Sequence, residues 1–228
     1  GILGPGRIAG RFATDLRRLP EARRVAVGSR DLSRAQTFAA EHGFERAYGS
    51  YEALVNDPDV HAVYVATPHP FHAEHTILCL EHGKAVLCEK PLAVNARQAR
   101  EMAACARANG VFLMEAMWSR FNPVMAEVRR WLKEGAIGEV RLVTADFGFR
   151  TAWNPQGRLL DLNLAGGALL DVGIYVASLA SMVYGQQPQA LSAAAHLGET
   201  GVDEQTAMLF HYPKGAFAQL FCAIRTAT

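Results

Sequence analysis

The chain reads as an α/β protein: a doubly wound parallel sheet followed by an α+β region with a large, open, mainly antiparallel sheet. Three observations predict this. A glycine turn, Gly4-Pro5-Gly6-Arg7-Ile8-Ala9, joins an apolar strand end (Ile2, Leu3) to a helical pattern. Strand-like apolar runs and helical patterns then alternate through six strands up to Glu115, the rhythm of βαβ units. After Pro123 the rhythm changes to long strand-like runs joined by turn chemistry.

The first helix presents Ile8, Phe12, Ala13, Leu16 and Leu19 on its apolar face. Residues 24–29 form a second strand, and a helix over 33–42 stops at Gly43. A short third strand lies near Ala47, and Ser50 caps a short helix to Val55. Residues 62–66 are apolar throughout, as in a strand buried on both faces. A helix over 71–82, a strand over 85–88, a helix from the Asn95 cap to Asn109 and a strand over 111–115 complete the first half. The second half predicts helices over 123–134 and 168–184, and strands over 140–149, 190–196, 205–212 and 216–224. Tyr212-Pro-Lys-Gly215 is the turn between the last two strands. The division expected is 1–118 for dinucleotide binding and 119–228 for substrate binding and dimerisation.

Composition narrows the classes. Half of the 228 residues are hydrophobic and 20% are charged, an ordinary globular balance. A net charge of +1 offers no surplus for nucleic acid or an anionic membrane surface. No apolar run is read as reaching the roughly 18 residues of a membrane helix. Cys79, Cys88, Cys105 and Cys222 are scattered without a Cys-x-x-Cys pair. That argues against a zinc site or disulfide framework and for a reducing cytoplasm. The chain opens on a strand end and stops just after a strand, so longer sequence is expected at both ends.

Chemistry is sought in the loops after each strand, because those loops line the cofactor crevice of a doubly wound sheet. The Gly-x-Gly-x-x-Ala form suits a dinucleotide pyrophosphate. Gly4 permits the tight turn, Gly6 lets backbone approach the phosphates, and Ala9 lets helix and strand pack closely. The helix start at Arg7 and Ile8 offers N–H groups and partial positive charge. After the second strand, Gly28-Ser29-Arg30-Asp31 places its acid one residue later than an NAD site usually does. Ser29 and Arg30 occupy the tip. A guanidinium there clamps a 2′-phosphate and stacks on adenine, which favours NADP over NAD. The plainer alternative makes Arg30 a solvated residue and Asp31 a helix cap.

Thr67-Pro68-His69-Pro-Phe-His72 follows the fourth strand. Thr67, Pro68 and His72 are assigned to the cofactor and His69 to the substrate; two histidines without a third ligand cluster do not make a metal site. His75 and His82 read as helix-surface residues. Glu89-Lys90-Pro91 follows the fifth strand, and Glu89 and Lys90 are placed at the cofactor. A lysine beside a nicotinamide can hydrogen-bond a substrate hydroxyl, stabilise an alkoxide, or depress the pKa of an acid–base partner. Arg120 could pair with phosphate and Trp118 could stack on a ring, or Trp118 and Phe121 could be inter-domain core. Trp153, with Arg150 and Arg158, lies in an irregular stretch that could reach substrate.

Gly4-x-Gly6 with Ala9, Glu89-Lys90-Pro91, and Gly166-Gly167-Ala168-Leu-Leu-Asp171-Val-Gly173-Ile-Tyr175 together resemble the Gfo/Idh/MocA oxidoreductases across essentially the whole chain. The resemblance implies a Rossmann domain followed by an open-sheet domain. Many members have His where Tyr175 stands. With Ala85-Val-Leu-Cys-Glu-Lys-Pro91 and Glu115-Ala-Met-Trp-Ser-Arg-Phe121, the chain is similar to the dimeric dihydrodiol dehydrogenase group, which includes NADP-dependent D-xylose 1-dehydrogenases. That similarity implies Tyr175 as general acid–base, with Lys90 lowering its pKa and orienting the substrate. It also places Arg120 near the nicotinamide nucleotide and Trp118 at the site wall. Asp171 would orient Lys90 or the substrate. The physics agrees: a tyrosine near pKa 10 is a poor base at neutral pH, and a two-unit shift needs only about 2.7 kcal/mol.

The activity so implied is NADP-dependent hydride transfer at a secondary alcohol or hemiacetal carbon of a sugar or cyclic vicinal diol. A non-catalytic NADP-sensing regulator and a nicotinamide-dependent glycosidase of the same fold are the competitors. A homodimer or larger homo-oligomer through the second sheet is expected, with Phe217, Leu220 or Phe221 as contact candidates.

Overall fold

The computed structural model describes residues 1–228. It divides into two compact units, Gly1–Ala116 and Met117–Thr228.

The first unit alternates strand and helix: β1 (Ile2–Leu3), α1 (Arg7–Leu16), β2 (Ala26–Gly28), α2 (Leu32–His42), β3 (Arg46–Tyr48), α3 (Tyr51–Val55), β4 (Ala62–Val65), α4 (His72–Glu81), β5 (Ala85–Cys88), α5 (Ala96–Asn109) and β6 (Leu113–Glu115). The strands form one sheet in the order β3-β2-β1-β4-β5-β6, with every pairing parallel. Successive side chains of a strand face opposite sides, and β1 shows the consequence. Ile2 joins Ala9, Ala13 and Phe38 in the core under α1 and α2. Leu3 joins Leu54, Leu80 and Met102 in the core under α3, α4 and α5. Both are at most 1% exposed, so each contributes about 1.5–3 kcal/mol by burial.

The caps lie where the sequence placed them. Asp31, Ser50 and Asn95 accept backbone N–H groups at the starts of α2, α3 and α5, and Gly43 and Gly110 close α2 and α5 in left-handed conformations. Two expectations for α1 are corrected. Ile8 and Leu19 are 44% and 54% exposed, and the residues that α1 buries are Ala9 and Ala13. Small residues there let the helix lie close to β1 with Ile8 facing outward, and the helix ends at Leu16, before Leu19.

Each strand of this sheet is tethered to a neighbour just where its chain leaves for the following loop. Gly4 N donates to Gly28 O at 3.1 Å, Ser29 N to Tyr48 O at 3.1 Å, Ala66 N to Leu3 O at 2.9 Å, Glu89 N to Val65 O at 2.9 Å and Ala116 N to Cys88 O at 2.7 Å. The loops that carry the candidate chemistry therefore leave one edge of the sheet from fixed points.

The second unit holds α6 (Pro123–Glu134), β7 (Leu142–Gly148), α7 (Ile174–Tyr184), β8 (Ala190–Leu197), β9 (Asp203–Tyr212) and β10 (Ala216–Ala223). Its sheet runs β7-β10-β9-β8; β10–β9 and β9–β8 are antiparallel and β10–β7 is parallel. Ala216, Ala218, Leu220 and Cys222 of β10 share a core with Val172, Val176 and Ala180. Leu220, expected at a subunit contact, is thus an inner residue. The period of two leaves Phe217 and Phe221 on the opposite face. All eight residues of β8 are exposed.

The helix expected over 168–184 begins as a π-helical turn, Leu169–Gly173. The expectation that no stretch reaches membrane-span length is also corrected: Leu162–Tyr184 has the length and hydropathy for one. Its backbone is not continuous helix, however. Gly167, at φ +116°, interrupts it, and a Cβ there would collide with the Asp203 carboxylate. Asp203 Oδ2 accepts Leu169 N at 2.8 Å just beyond the break. Such a break would leave backbone groups unsatisfied in lipid, whereas here Val172, Val176 and Ala180 bury themselves on the sheet.

Gly4 has φ +86°, and a Cβ there would meet Ala66 O and Thr67 Cγ2 at 3.0 Å. Gly4→Ala is expected to destabilise the protein by about 2–4 kcal/mol. Gly83→Ala, at φ +70° in open space, is expected to cost only about 1–2 kcal/mol. Urea midpoints compared at constant m-value check the difference.

Candidate active site

The glycine turn has the shape a pyrophosphate requires. Gly6 is the N-cap of α1 without a side-chain cap, and no acidic residue lies in the first turn. A Cβ on Gly6 would meet nothing within 4 Å, so the backbone there opens onto free space. Uncapped helix N–H groups, the positive end of the helix dipole and a bare backbone form an anion cradle. Arg7 and Ile8 are exposed beside it. The residues present fit a dinucleotide.

Ser29 is 4% exposed, and its Oγ accepts Asp31 N at 3.2 Å. Asp31 is a helix cap: Oδ1 accepts Ser33 N at 2.9 Å, Ser33 Oγ at 2.7 Å and Arg34 N at 3.4 Å, and these bonds hold its carboxyl below the usual range. Arg30 is exposed, with its guanidinium 5.8 Å from the centre of the Phe71 ring. Arg34, one helical turn further on, was not singled out from the sequence. With Arg30 it bears electrostatically on Tyr51, so two cations face this end of the fold. A cavity of about 590 Å³ lies here, lined by Arg30, Tyr51, Thr67, Pro68, Phe71 and His75 among others.

His72, expected at the cofactor, is 1% exposed and occupied within the protein. Its Nδ1 faces Pro91 O at 2.8 Å and its Nε2 faces Thr67 O at 2.7 Å. It joins the loop after β4 to the loop after β5 from behind. Burial pushes its pKa down, opposed by the two carbonyls. His69 packs edge-on against it at 5.6 Å. His75, expected on the surface, is 8% exposed, because α4 turns it toward the β4 loop, where Nδ1 meets Thr67 Oγ1 at 3.0 Å. His82 is exposed as expected.

The loop that bears Lys90 is braced from several directions. Glu89, expected at the cofactor, accepts the Tyr64 hydroxyl on Oε1 and Lys90 N on Oε2 at 3.2 Å. Glu115 Oε1 accepts Leu92 N at 2.8 Å. The Lys90–Pro91 peptide is cis. Tyr64 and Glu115 were missed in the sequence. Tyr64 sat inside an apolar strand run, and its ring does pack there, 4.0 Å from Phe12. The visible signal was a polar-tipped residue near the C-terminal end of a buried strand. Cys79 and Cys88 offer no nucleophile, since burial pushes both thiols up to about 12.

In the second unit Tyr175 stands two residues past the π-turn, half-buried. Trp118 Nε1 donates to its hydroxyl oxygen at 2.9 Å, and the Phe147 ring lies 5.5 Å away. Trp118 and Phe121 are 63% and 66% exposed. Asp171 is 5% exposed and accepts Arg158 Nη1 at 2.9 Å. Trp153 lies under the Arg225 guanidinium at 5.6 Å, and Arg150 pairs with Arg225 in an isolated bridge. Arg120 is exposed, and its carbonyl accepts Arg129 Nη1 at 2.6 Å. No group of three or more His, Cys, Asp or Glu side chains converges as a metal site would.

A parallel sheet in this strand order, with an uncapped glycine turn after β1, defines an NAD(P)-binding Rossmann domain. Residues 1–117 match the model of an oxidoreductase family with an NAD-binding Rossmann fold, and residues 125–228 match the Gfo/Idh/MocA C-terminal domain. The chain belongs to the Gfo/Idh/MocA oxidoreductase family. It is 49% identical to the trans-1,2-dihydrobenzene-1,2-diol dehydrogenase of Mus musculus over 227 residues, covering 98% of this chain and 68% of the mouse protein. The Homo sapiens counterpart is 45% identical, with coverage of 98% and 67%. Among solved structures, the 3-ketoreductase KijD10 of Actinomadura kijaniata, in complex with NADP and TDP-benzene, superposes with a TM-score of 0.89 at 34% identity, over 100% of this chain and 70% of that one. The aldose-aldose oxidoreductase of Caulobacter crescentus gives 0.91 at 30% identity, over 99% and 70%.

Two outcomes follow from this geometry. Asp31→Ala should cost about 1 kcal/mol in a denaturation midpoint, as a lost helix cap does, and leave the dissociation constants of NADP and NAD unchanged by titration. Acidification should lower stability. Burial holds His75 below its ordinary pKa, so the unfolded chain takes up its proton first as the pH falls through about 6.5. The thermal midpoint should therefore be lower at about pH 5.5 than at about pH 7.5; a rise would refute a neutral buried His75.

Proposed function

We propose that this dehydrogenase uses NADP to oxidise or reduce a secondary alcohol or hemiacetal carbon of a sugar or cyclic vicinal diol, with Tyr175 as the general acid–base. The observation that carries this reading is the indole donor on the Tyr175 hydroxyl at 2.9 Å. An indole N–H has no acceptor capacity, so the phenolic oxygen must accept it. The Tyr175 proton is then directed to another partner, and the donor stabilises the phenolate that forms when that proton leaves.

The nicotinamide, when bound, supplies hydride transfer at its ring carbon. Lys90 presents an ammonium that hydrogen-bonds the reacting oxygen and stabilises negative charge on it. Tyr64, Glu89, His72 and Glu115 fix the loop from which Lys90 extends. Asp171 is read as a positioning residue that holds Arg158. The glycine cradle takes the pyrophosphate, and Ser29, Arg30 and Arg34 take the 2′-phosphate, which a guanidinium matches better than it matches a bare ribose. Trp118 and Trp153 offer ring faces to the substrate, His69 a polar group, and Arg120 a cation to the nicotinamide nucleotide. The relatives named for a dihydrodiol and for aldoses support the substrate class, and the 3-ketoreductase in complex with NADP supports the cofactor. The exposed face of the second sheet, with Leu142, Phe217 and Phe221, is read as a contact between copies of the chain.

The test is a 340 nm assay with D-xylose, D-glucose and a trans-dihydrodiol, each with NADP and with NAD. NADP reduction much faster than NAD reduction is expected. Tyr175→Phe and Lys90→Met should each lower turnover by about 10²- to 10⁴-fold while NADP still binds. Arg30→Ala should weaken NADP about 10- to 100-fold and NAD little. Tight NADP binding with no turnover on any such substrate would point to a cofactor-sensing protein instead.

A further inference from the structure

We propose that His75 recognises the adenine base of the dinucleotide, donating a hydrogen bond from Nε2 to a ring nitrogen of the purine; this rests on the dinucleotide reading above. Four observations converge on it. His75 lines the cavity of about 590 Å³ that begins at Arg30, on the side where the loops after β2, β3 and β4 meet. It is more than nine-tenths buried, at 8% exposure. One ring nitrogen is engaged, Nδ1 with Thr67 Oγ1 at 3.0 Å, and the other has no partner within the protein. The imidazole is also fixed in orientation, with Phe71 stacked at 5.7 Å and 21° and Tyr51 edge-on at 4.5 Å.

The direction of the bond follows from the partners. The Thr67 hydroxyl is buried, and His75 Nδ1 is the acceptor within its reach, so its proton goes there. A neutral imidazole that accepts on Nδ1 carries its proton on Nε2, so the group offered to the cavity is a donor. The cavity walls select what it meets. Phe71, Pro68 and Ile77 are apolar or flat surfaces suited to a planar ring, and Glu52, Glu74 and Glu81, which line the same cavity, disfavour a phosphate there and leave it to a neutral base. Arg30, which marks the ribose end, stands at the rim. In a doubly wound sheet the base lies beyond the ribose at this crevice, so a purine nitrogen is the acceptor that fits.

The sequence hid this residue because a histidine inside a helical run reads as helix surface. Only the β4 loop folding over α4 encloses it. Its role is to fix the base and hold affinity, with no part in the chemical step.

The experiment is equilibrium binding of NADPH and of NADH, by calorimetry, to the wild-type chain and to His75→Phe, with circular dichroism and thermal midpoints as folding controls. Phenylalanine keeps the ring between Tyr51 and Phe71 but removes both ring nitrogens, so the tautomer measurement below separates the Nε2–H bond from the lost Thr67 contact. The expected result is a three- to tenfold loss, about the worth of one neutral hydrogen bond, equal for the two cofactors. A loss confined to NADPH would mean that Nε2 serves the 2′-phosphate and would overturn the base assignment. Unchanged binding of both would overturn it as well. Failure of the wild-type chain to bind either cofactor would overturn the dinucleotide reading itself. A second measurement needs no substitution: in wild-type protein labelled with ¹⁵N-histidine, the His75 signals should report the Nε2–H tautomer, and NADPH and NADH should each shift the Nε2 resonance. An Nδ1–H tautomer, or no shift with bound cofactor, would refute the proposal.

Discussion

The constraint on which the first unit depends is the parallel hydrogen-bond ladder centred on β1. That strand has only two residues, yet it pairs with β2 on one side and β4 on the other. Parallel pairing puts the C-terminal ends of all six strands at one edge. The bonds from Gly4, Ser29, Ala66, Glu89 and Ala116 to neighbouring strands fix where each loop leaves. The glycine cradle, Arg30, Thr67 and Lys90 occur at the same edge for this reason, although up to 86 positions separate Gly4 from Lys90 in the chain. Moving any one strand by a residue would exchange its two faces and misplace the loop that follows.

Beyond the ladder lies a layer of polar side chains that hold loops to each other. His72 bridges the carbonyls of Thr67 and Pro91, Tyr64 reaches Glu89, and Glu115 takes the amide of Leu92. None of these residues has to touch a substrate to matter. They restrict the loop after β5, so that the lysine at its tip starts from a fixed backbone. Preorganisation of this kind is what makes an electrostatic contribution effective, since the donors need not be reordered during the reaction. The second unit solves a related problem differently. A π-turn precedes Tyr175, and Asp203 accepts the amide of Leu169 where the glycine pair interrupts the chain. An added residue in a helical turn shifts the phase of all that follows, and such turns occur often at functional positions.

Much of the fold was legible because it rests on local signals. Asp31, Ser50 and Asn95 cap helices by short-range bonds that need no tertiary context. The continuous apolar run of β4 marks a strand covered on both faces. The errors fall where long-range packing decides. Ile8 and Leu19 have the right spacing for a helix face, but close approach to β1 selects the small residues Ala9 and Ala13 instead. Leu220 alternates correctly along β10, yet which of the two faces is covered depends on where the π-turn and α7 lie.

By itself the sequence determined the strand–turn–helix at Gly4, the alternation of elements, the second change of rhythm and the positions of Lys90 and Tyr175. Periodicity, capping and glycine requirements are properties of a few consecutive residues. Only the tertiary structure decided the roles of the polar residues between them. It drew His72 inward as a brace, enclosed His75 beside the Arg30 cavity and placed the Trp118 indole on the Tyr175 hydroxyl. The physical reason is that a polar side chain takes its function from the partner it meets. In this chain those partners are supplied by other elements, Pro91 for His72 and Trp118 for Tyr175, which no local pattern brings together.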